Sequence, residues 1–143
     1  MALLDIHGVS VRFGGLMAVD TVSLAAEAGR VTGLIGPNGA GKTTTFNVIT
    51  GLQAPTKGRV LIDGEEIGHL APHKRARRGM ARTFQRLELF GVLTARENVM
   101  AAASMSARYR KGKETPAAIA ARLLARVGLP GVADVPAGRL PTG

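Results

Sequence analysis

Residues Gly36-Pro37-Asn38-Gly39-Ala40-Gly41-Lys42-Thr43 satisfy the spacing G-x-x-x-x-G-K-S/T, a pattern suited to holding a polyphosphate. Glycines let the backbone fold tightly, so that successive N–H groups point at phosphate oxygens, and a helix starting at the end of the loop adds a field that favours negative charge. Lys42 is placed to reach the β and γ phosphates. Thr43 offers a hydroxyl to a magnesium ion bridging them, and Thr44 is a further donor beside it. Other chemistry-bearing residues are sparse. With no cysteine there is no disulfide, thiolate metal site or thiol nucleophile, as suits a reducing compartment. Asp63 ends the apolar run Val60-Leu61-Ile62, but Asp63-Gly64 between apolar residues is foremost a hairpin turn.

A phosphate loop works only between a strand and a helix, and the flanking sequence supplies candidates for both. Val31-Thr32-Gly33-Leu34-Ile35 has little alternation and reads as a strand buried on both faces, as in a parallel sheet. Thr43 to Leu52 places Phe46, Val48 and Ile49 at helical spacing, with Gly51 and Pro55 as stops. Upstream, Leu4 and Ile6 lie in one alternating phase and Val9, Val11 and Phe13 in the other, which predicts a strand with a bulge at His7-Gly8. Val19 to Leu24 is a second extended stretch, and Val60 to Ile67 a hairpin. Pro72 to Arg78 reads as a short basic helix with a solvated face, and Met80 to Phe84 as a further strand. After Thr94 everything is helical. Thr94-Ala95-Arg96-Glu97 is a capping box opening a helix to about Arg108, and Thr115-Pro116 opens another whose stripe is Ile119, Leu123, Leu124 and Val127.

At 143 residues the chain suits one compact unit, since about one domain forms per 150 residues. Nineteen Lys and Arg against ten Asp and Glu leave a formal charge of +9, favouring anionic partners without choosing among nucleotides, nucleic acid and phospholipid head groups. No apolar run approaches the roughly 20 residues of a membrane span, and Met1 to His7 lacks the basic start of a signal peptide. Only five aromatic residues occur, too few for a platform that stacks single-stranded nucleic acid.

The loop reads GPNGAGKTTT from Gly36 to Thr45, and this resembles the Walker A loop of ATP-binding cassette (ABC) ATPases. Val11 to Val19 (VRFGGLMAV) resembles the adenine-stacking segment of that family, and Arg82-Thr83-Phe84-Gln85 resembles its Q-loop approach. With ARENV following, the wording is most similar to ATP-binding subunits of branched-chain amino acid importers. The resemblance implies an α/β fold: a P-loop NTPase core with an antiparallel β subdomain and the start of a helical subdomain, divided as residues 1–93 and 94–143. It implies ATP and Mg2+ as cofactors, with nucleotide held by Phe13, Val19, Asn38, Gly39, Ala40, Gly41, Lys42, Thr43 and Thr44. Phe13 would stack on the adenine with Val19 beside it. Lys42 and Gln85 would serve catalysis, and Thr43 and Gln85 the metal. It further implies transmembrane permease subunits and a second ATP-binding subunit as partners, at the inner face of the cell membrane. The loop Leu87-Glu88-Leu89-Phe90 suits either such a partner or core packing.

In the family an Asp ending a strand is followed directly by the catalytic Glu. Here Gly64 follows Asp63, so this is no such strand, and no switch histidine follows the Q-loop. Leu140-Pro141-Thr142-Gly143 resembles the first positions of the family signature. The expectation is thus an N-terminal part of a subunit, truncated inside that signature, in which ATP hydrolysis belongs to the complete subunit and the chain alone is inactive. The rival solutes are lipopolysaccharide and urea or another amide. A nucleic-acid-binding P-loop protein is the rival class, motivated by the net charge and by His73-Lys74-Arg75-Ala76-Arg77-Arg78.

Overall fold

A computed structural model describes residues 2–83, 89–107 and 114–141. The chain divides into two units, Met1–Arg82 and Thr83–Gly143.

In the first unit, β1 (Ala2–Phe13) and β2 (Leu16–Glu27) form a long antiparallel hairpin. β3 (Lys57–Ile62) pairs antiparallel with the other edge of β1, and β4 (Glu65–Glu66) closes the sheet in the order β2-β1-β3-β4. The expected bulge is present: the register of β1 shifts between Ile6 and Val9, and the Gly8 amide donates to Ser23 Oγ instead of the ladder. The shift lets Ile6, Val9 and Val11 all face inward despite their change of phase. The expected hairpin also forms, with positive φ at Asp63 (49°) and Gly64 (77°), the two-residue turn whose twist matches its strands.

Helix α1 (Lys42–Thr50) buries Val48 and Ile49 against Ile6, Val9, Val11, Val19, Val60 and Ile67. Burial of such side chains, worth about 1.5–3 kcal/mol each, is what holds a nine-residue helix too short to persist alone. Phe46, on the same helix, stays half exposed.

Three expectations fail here. Val31 to Ile35 is not a strand: it has no regular structure, and Val31 and Ile35 are 102% and 95% exposed. Val, Thr and Ile confer strand propensity, but a strand exists only when paired, and among the described residues nothing is paired with this segment. Met80 to Thr83 is likewise irregular, with Met80 packed against the core, while Phe84 lies outside the described residues. The basic helix α2 (Pro72–Arg77) does form, but its Arg75 is buried at 2% exposure.

The second unit is helical among its described residues. Helix α3 (Ala95–Ala107) packs on α4 (Pro116–Arg126), which buries Ile119, Ala120 and Leu124. Both sequence caps are made. The Thr94 amide donates to Glu97 Oε2 at 2.7 Å, the Glu97 amide donates to Thr94 Oγ1 at 3.1 Å, and the Ala118 amide donates to Thr115 Oγ1 at 3.2 Å. Arg96 forks onto Asp134 with bonds of 2.8 and 3.1 Å, tying the start of α3 to the turns that follow α4. Of the two readings of Leu89 and Phe90, core packing is not realised, as they are 54% and 62% exposed.

This arrangement carries a pH dependence. The Thr94 amide, and then its hydroxyl, hold the Glu97 carboxyl below its usual value, and the bond from Arg96 does the same for Asp134. Carboxyls with depressed folded-state values contribute stability that is complete above the ordinary carboxylate range and lost as pH falls through and below it. Helicity of the second unit is therefore expected to decline from about pH 5 toward pH 2, and Thr94→Ala to flatten that decline. Circular dichroism across the acid range reads both; a Thr94→Ala profile parallel to the parent's would refute the capping contribution.

Candidate functional site

The phosphate loop opens onto a cavity of about 310 Å³. One wall is Leu16, Met17 and Ala18 at the start of β2. The other is Asn38, Gly39 and Gly41 of the loop with Lys42, Thr43 and Thr44 of the first turn of α1. Lys42 folds over the loop, its ammonium donating to the Gly36 and Pro37 carbonyls at 2.6 Å each. At any helix start the first amides have no intrahelical acceptor, so here they point toward the cavity beside Lys42 and two hydroxyls. No acidic side chain lines the cavity. The donor set is that of an anion site.

Gly41 makes this geometry possible. It caps α1 with φ +78°, in the left-handed region, and a Cβ built on it would lie 2.5 Å from Ala18 O and 2.9 Å from Val19 Cγ2. Only glycine brings the loop so close to β2. Thr45 fastens the join from inside, its amide and hydroxyl both donating to the Gly41 carbonyl at 2.8 and 3.0 Å.

The structure places the sequence-predicted residues unevenly. Asn38, Gly39, Gly41, Lys42, Thr43 and Thr44 are brought together around the cavity. Ala40 does not line it; its Cβ lies where a side chain on Gly36 would come within 3.2 Å. Val19 is buried in the core beneath Gly41 and supports the loop from behind. Phe13 ends β1 opposite Leu16, half exposed and outside the lining. Gln85 lies outside the described residues. Asp63 sits in its turn, remote in role from any metal, and no cluster of His, Cys, Asp or Glu able to hold a metal occurs among the described residues.

Residue reasoning assigned no role to Leu16, Met17 and Ala18, because side chains at a strand start carry no chemical signature until the loop is folded against them. Arg75 was missed for a similar reason. It donates through Nε to Leu70 O at 2.8 Å, through one terminal nitrogen to Val48 O and Ile49 O at 2.7 Å each, and through the other to Gly68 O at 2.9 Å. Burial pushes its guanidinium below its ordinary value. It closes the carboxyl end of α1, where a cation also suits the helix dipole.

A family model described as ABC transporter matches residues 19–143, and the chain belongs to that family. The expected ABC-cassette fold stands. MJ1267, an ATP-binding cassette of an ABC transporter solved in its ADP conformation, superposes with a TM-score of 0.86 at 32% identity, over 99% of this chain and 60% of that one. The cassette MJ0796, solved as a dimer in a post-hydrolysis state with ADP and Pi, gives 0.74 at 25% identity over 96% and 63%. Among curated relatives, the high-affinity branched-chain amino acid transport ATP-binding protein BraF of Pseudomonas aeruginosa is 52% identical over 100 residues. LivG of Escherichia coli, described in the same words, is 45% identical over 100 residues. These alignments cover 70% of this chain and 39% of either relative. The spermidine/putrescine import ATP-binding protein PotA of Nitrosomonas europaea is 40% identical over 123 residues, 86% of this chain and 32% of that protein.

Proposed function

We propose that this chain carries the nucleotide-binding loop of an ATP-binding subunit that powers solute import, with branched-chain amino acids as the solute. The supporting observation is the convergence of Lys42, Thr43, Thr44 and the loop amides on one cavity, opposite Leu16 to Ala18. Lys42 turns from the Gly36 and Pro37 carbonyls to the β and γ phosphates, exchanging two neutral acceptors for charged ones. Thr43 supplies a hard oxygen, which fits Mg2+, an ion that takes one or two protein oxygens and keeps its other positions for water and phosphates. When bound, that ion neutralises phosphate charge. Gln85 is assigned the amide oxygen that faces it, and Phe13 the base, which its half-exposed ring covers without reading the base's edges.

Hydrolysis is assigned to the complete subunit, working as a pair of ATP-binding subunits against permease subunits at the inner face of the membrane. Residues 1–93 are read as the nucleotide-binding core and 94–143 as the start of the helical subdomain. The higher identity to BraF and LivG favours an amino acid over a polyamine. Nucleic acid is disfavoured because the basic stretch is spent internally: Arg75 is buried and Arg78 pairs with Glu65 at 2.6 Å.

Calorimetric titration of Mg-ATP into the chain and into Lys42→Ala is the test. The variant is expected to bind about 10- to 100-fold more weakly, the range set by losing a hydrogen bond to a charged group. Equal affinity would remove Lys42 from the site.

A further inference from the structure

Two arginines of the basic stretch reach α1, and they do different things there. Arg75 closes the backbone at the helix end, whereas Arg82 binds side chains on the helix flank. Its guanidinium donates to Asn47 Oδ1 at 2.7 Å and, more weakly, to Thr50 Oγ1 at 3.4 Å. Asn47 stands four residues after Thr43, one turn along the same side of the helix that begins at the phosphate loop. Residues 81–83 have no regular structure, so the Arg82 fork, rather than a sheet ladder or helix, registers this segment against α1. Asn47 is itself firmly held, its carbonyl accepting the Leu52 and Gln53 amides at 2.9 and 3.1 Å.

We propose that Arg82 is a positioning residue that couples the phosphate loop, through Asn47 on α1, to the segment leading out of the Met1–Arg82 unit. Nucleotide held at Lys42, Thr43 and Thr44 stiffens the first turn of α1. A helix transmits that restraint along its axis, and Asn47 passes it to Arg82. The planar fork suits this role better than a lysine, whose ammonium turns freely on its stem. The inference rests on the nucleotide-binding reading above and extends it to residues that do not line the cavity.

Hydrogen exchange on the full chain, with and without saturating Mg-ATP, tests it. In the parent, nucleotide is expected to slow exchange at residues 42–45 and, by about threefold or more, at residues 81–83. In Arg82→Ala the effect at 42–45 persists, ATP affinity stays within about threefold, and the effect at 81–83 disappears. Asn47→Asp, which keeps an acceptor, retains the response at 81–83, and Arg82→Lys, which keeps charge without the fork, loses most of it. These two variants separate coupling from general loosening. Slowing at 81–83 that survives in Arg82→Ala overturns the coupling while leaving the nucleotide site intact. Absence of slowing at 42–45 in the parent overturns the nucleotide reading and the coupling with it.

Discussion

Arg75→Met is expected to destabilise the Met1–Arg82 unit by about 3–5 kcal/mol, a large share of the roughly 5–15 kcal/mol that holds an ordinary domain together. Methionine replaces the stem of the side chain but none of its donors. The Leu70, Val48, Ile49 and Gly68 carbonyls would lose charged partners at 2.7 to 2.9 Å, and burial keeps water from replacing them. Lysine retains charge and three donors, but not the planar geometry that reaches four acceptors at once, so Arg75→Lys should fall between. Denaturant titration gives the values, and a loss below about 1 kcal/mol for Arg75→Met would show the carbonyls are satisfied otherwise. A coupling is expected with Gly51, whose added Cβ would lie 2.8 Å from Arg75 Nε. Gly51→Ala should therefore cost less in the Arg75→Met background than in the parent, retaining only the strain of its φ of +82°.

The sequence announced those features whose causes are local. A capping box needs a hydroxyl and a carboxylate three residues apart, and Thr94 and Glu97 make both bonds. A tight hairpin needs residues tolerant of positive φ, and Asp63-Gly64 provides them, which is why the run ending in Asp63 was separable from a metal-binding strand. The phosphate loop is legible for the same reason, its spacing being its mechanism.

Pairing and burial are not local, and there the reading failed. The apolar run at Val31 to Ile35 expresses a preference that only a neighbouring strand can satisfy, and no described residue satisfies it. In His73 to Arg78 every residue but Ala76 is cationic or titratable, so periodicity of charge could not single out Arg75. What singles it out is the exposed end of α1, twenty-five residues upstream at Thr50, whose carbonyls need a donor. The one available hint was that a nine-residue helix ending on Gly51 offers no basic residue in its own last turn. The cavity wall at Leu16 to Ala18 was quoted in the sequence resemblance without a role, since only the folded loop gives it one.

Gly41→Ala is expected to remove nucleotide binding almost completely, weakening Mg-ATP by more than about 100-fold, through collision rather than through lost contacts. Two costs fall on one atom. A non-glycine residue at φ +78° carries about 1–3 kcal/mol of strain, and the new Cβ must also leave a position 2.5 Å from Ala18 O and 2.9 Å from Val19 Cγ2. Val19 is buried in the core and Ala18 is fixed in β2, so the strand cannot yield cheaply and the loop must. Displacing Gly41 carries Lys42 and Thr43 with it, and withdraws the carbonyl that anchors Thr45. Gly39→Ala is the control. Its φ is +86°, so the strain is similar, but an added Cβ there meets nothing within 4 Å. That variant should bind Mg-ATP within about 10-fold of the parent. Comparable losses for the two alanines would assign the requirement at Gly41 to backbone strain alone, and a tolerant Gly41→Ala would mean that β2 and the loop are not packed as the structure places them.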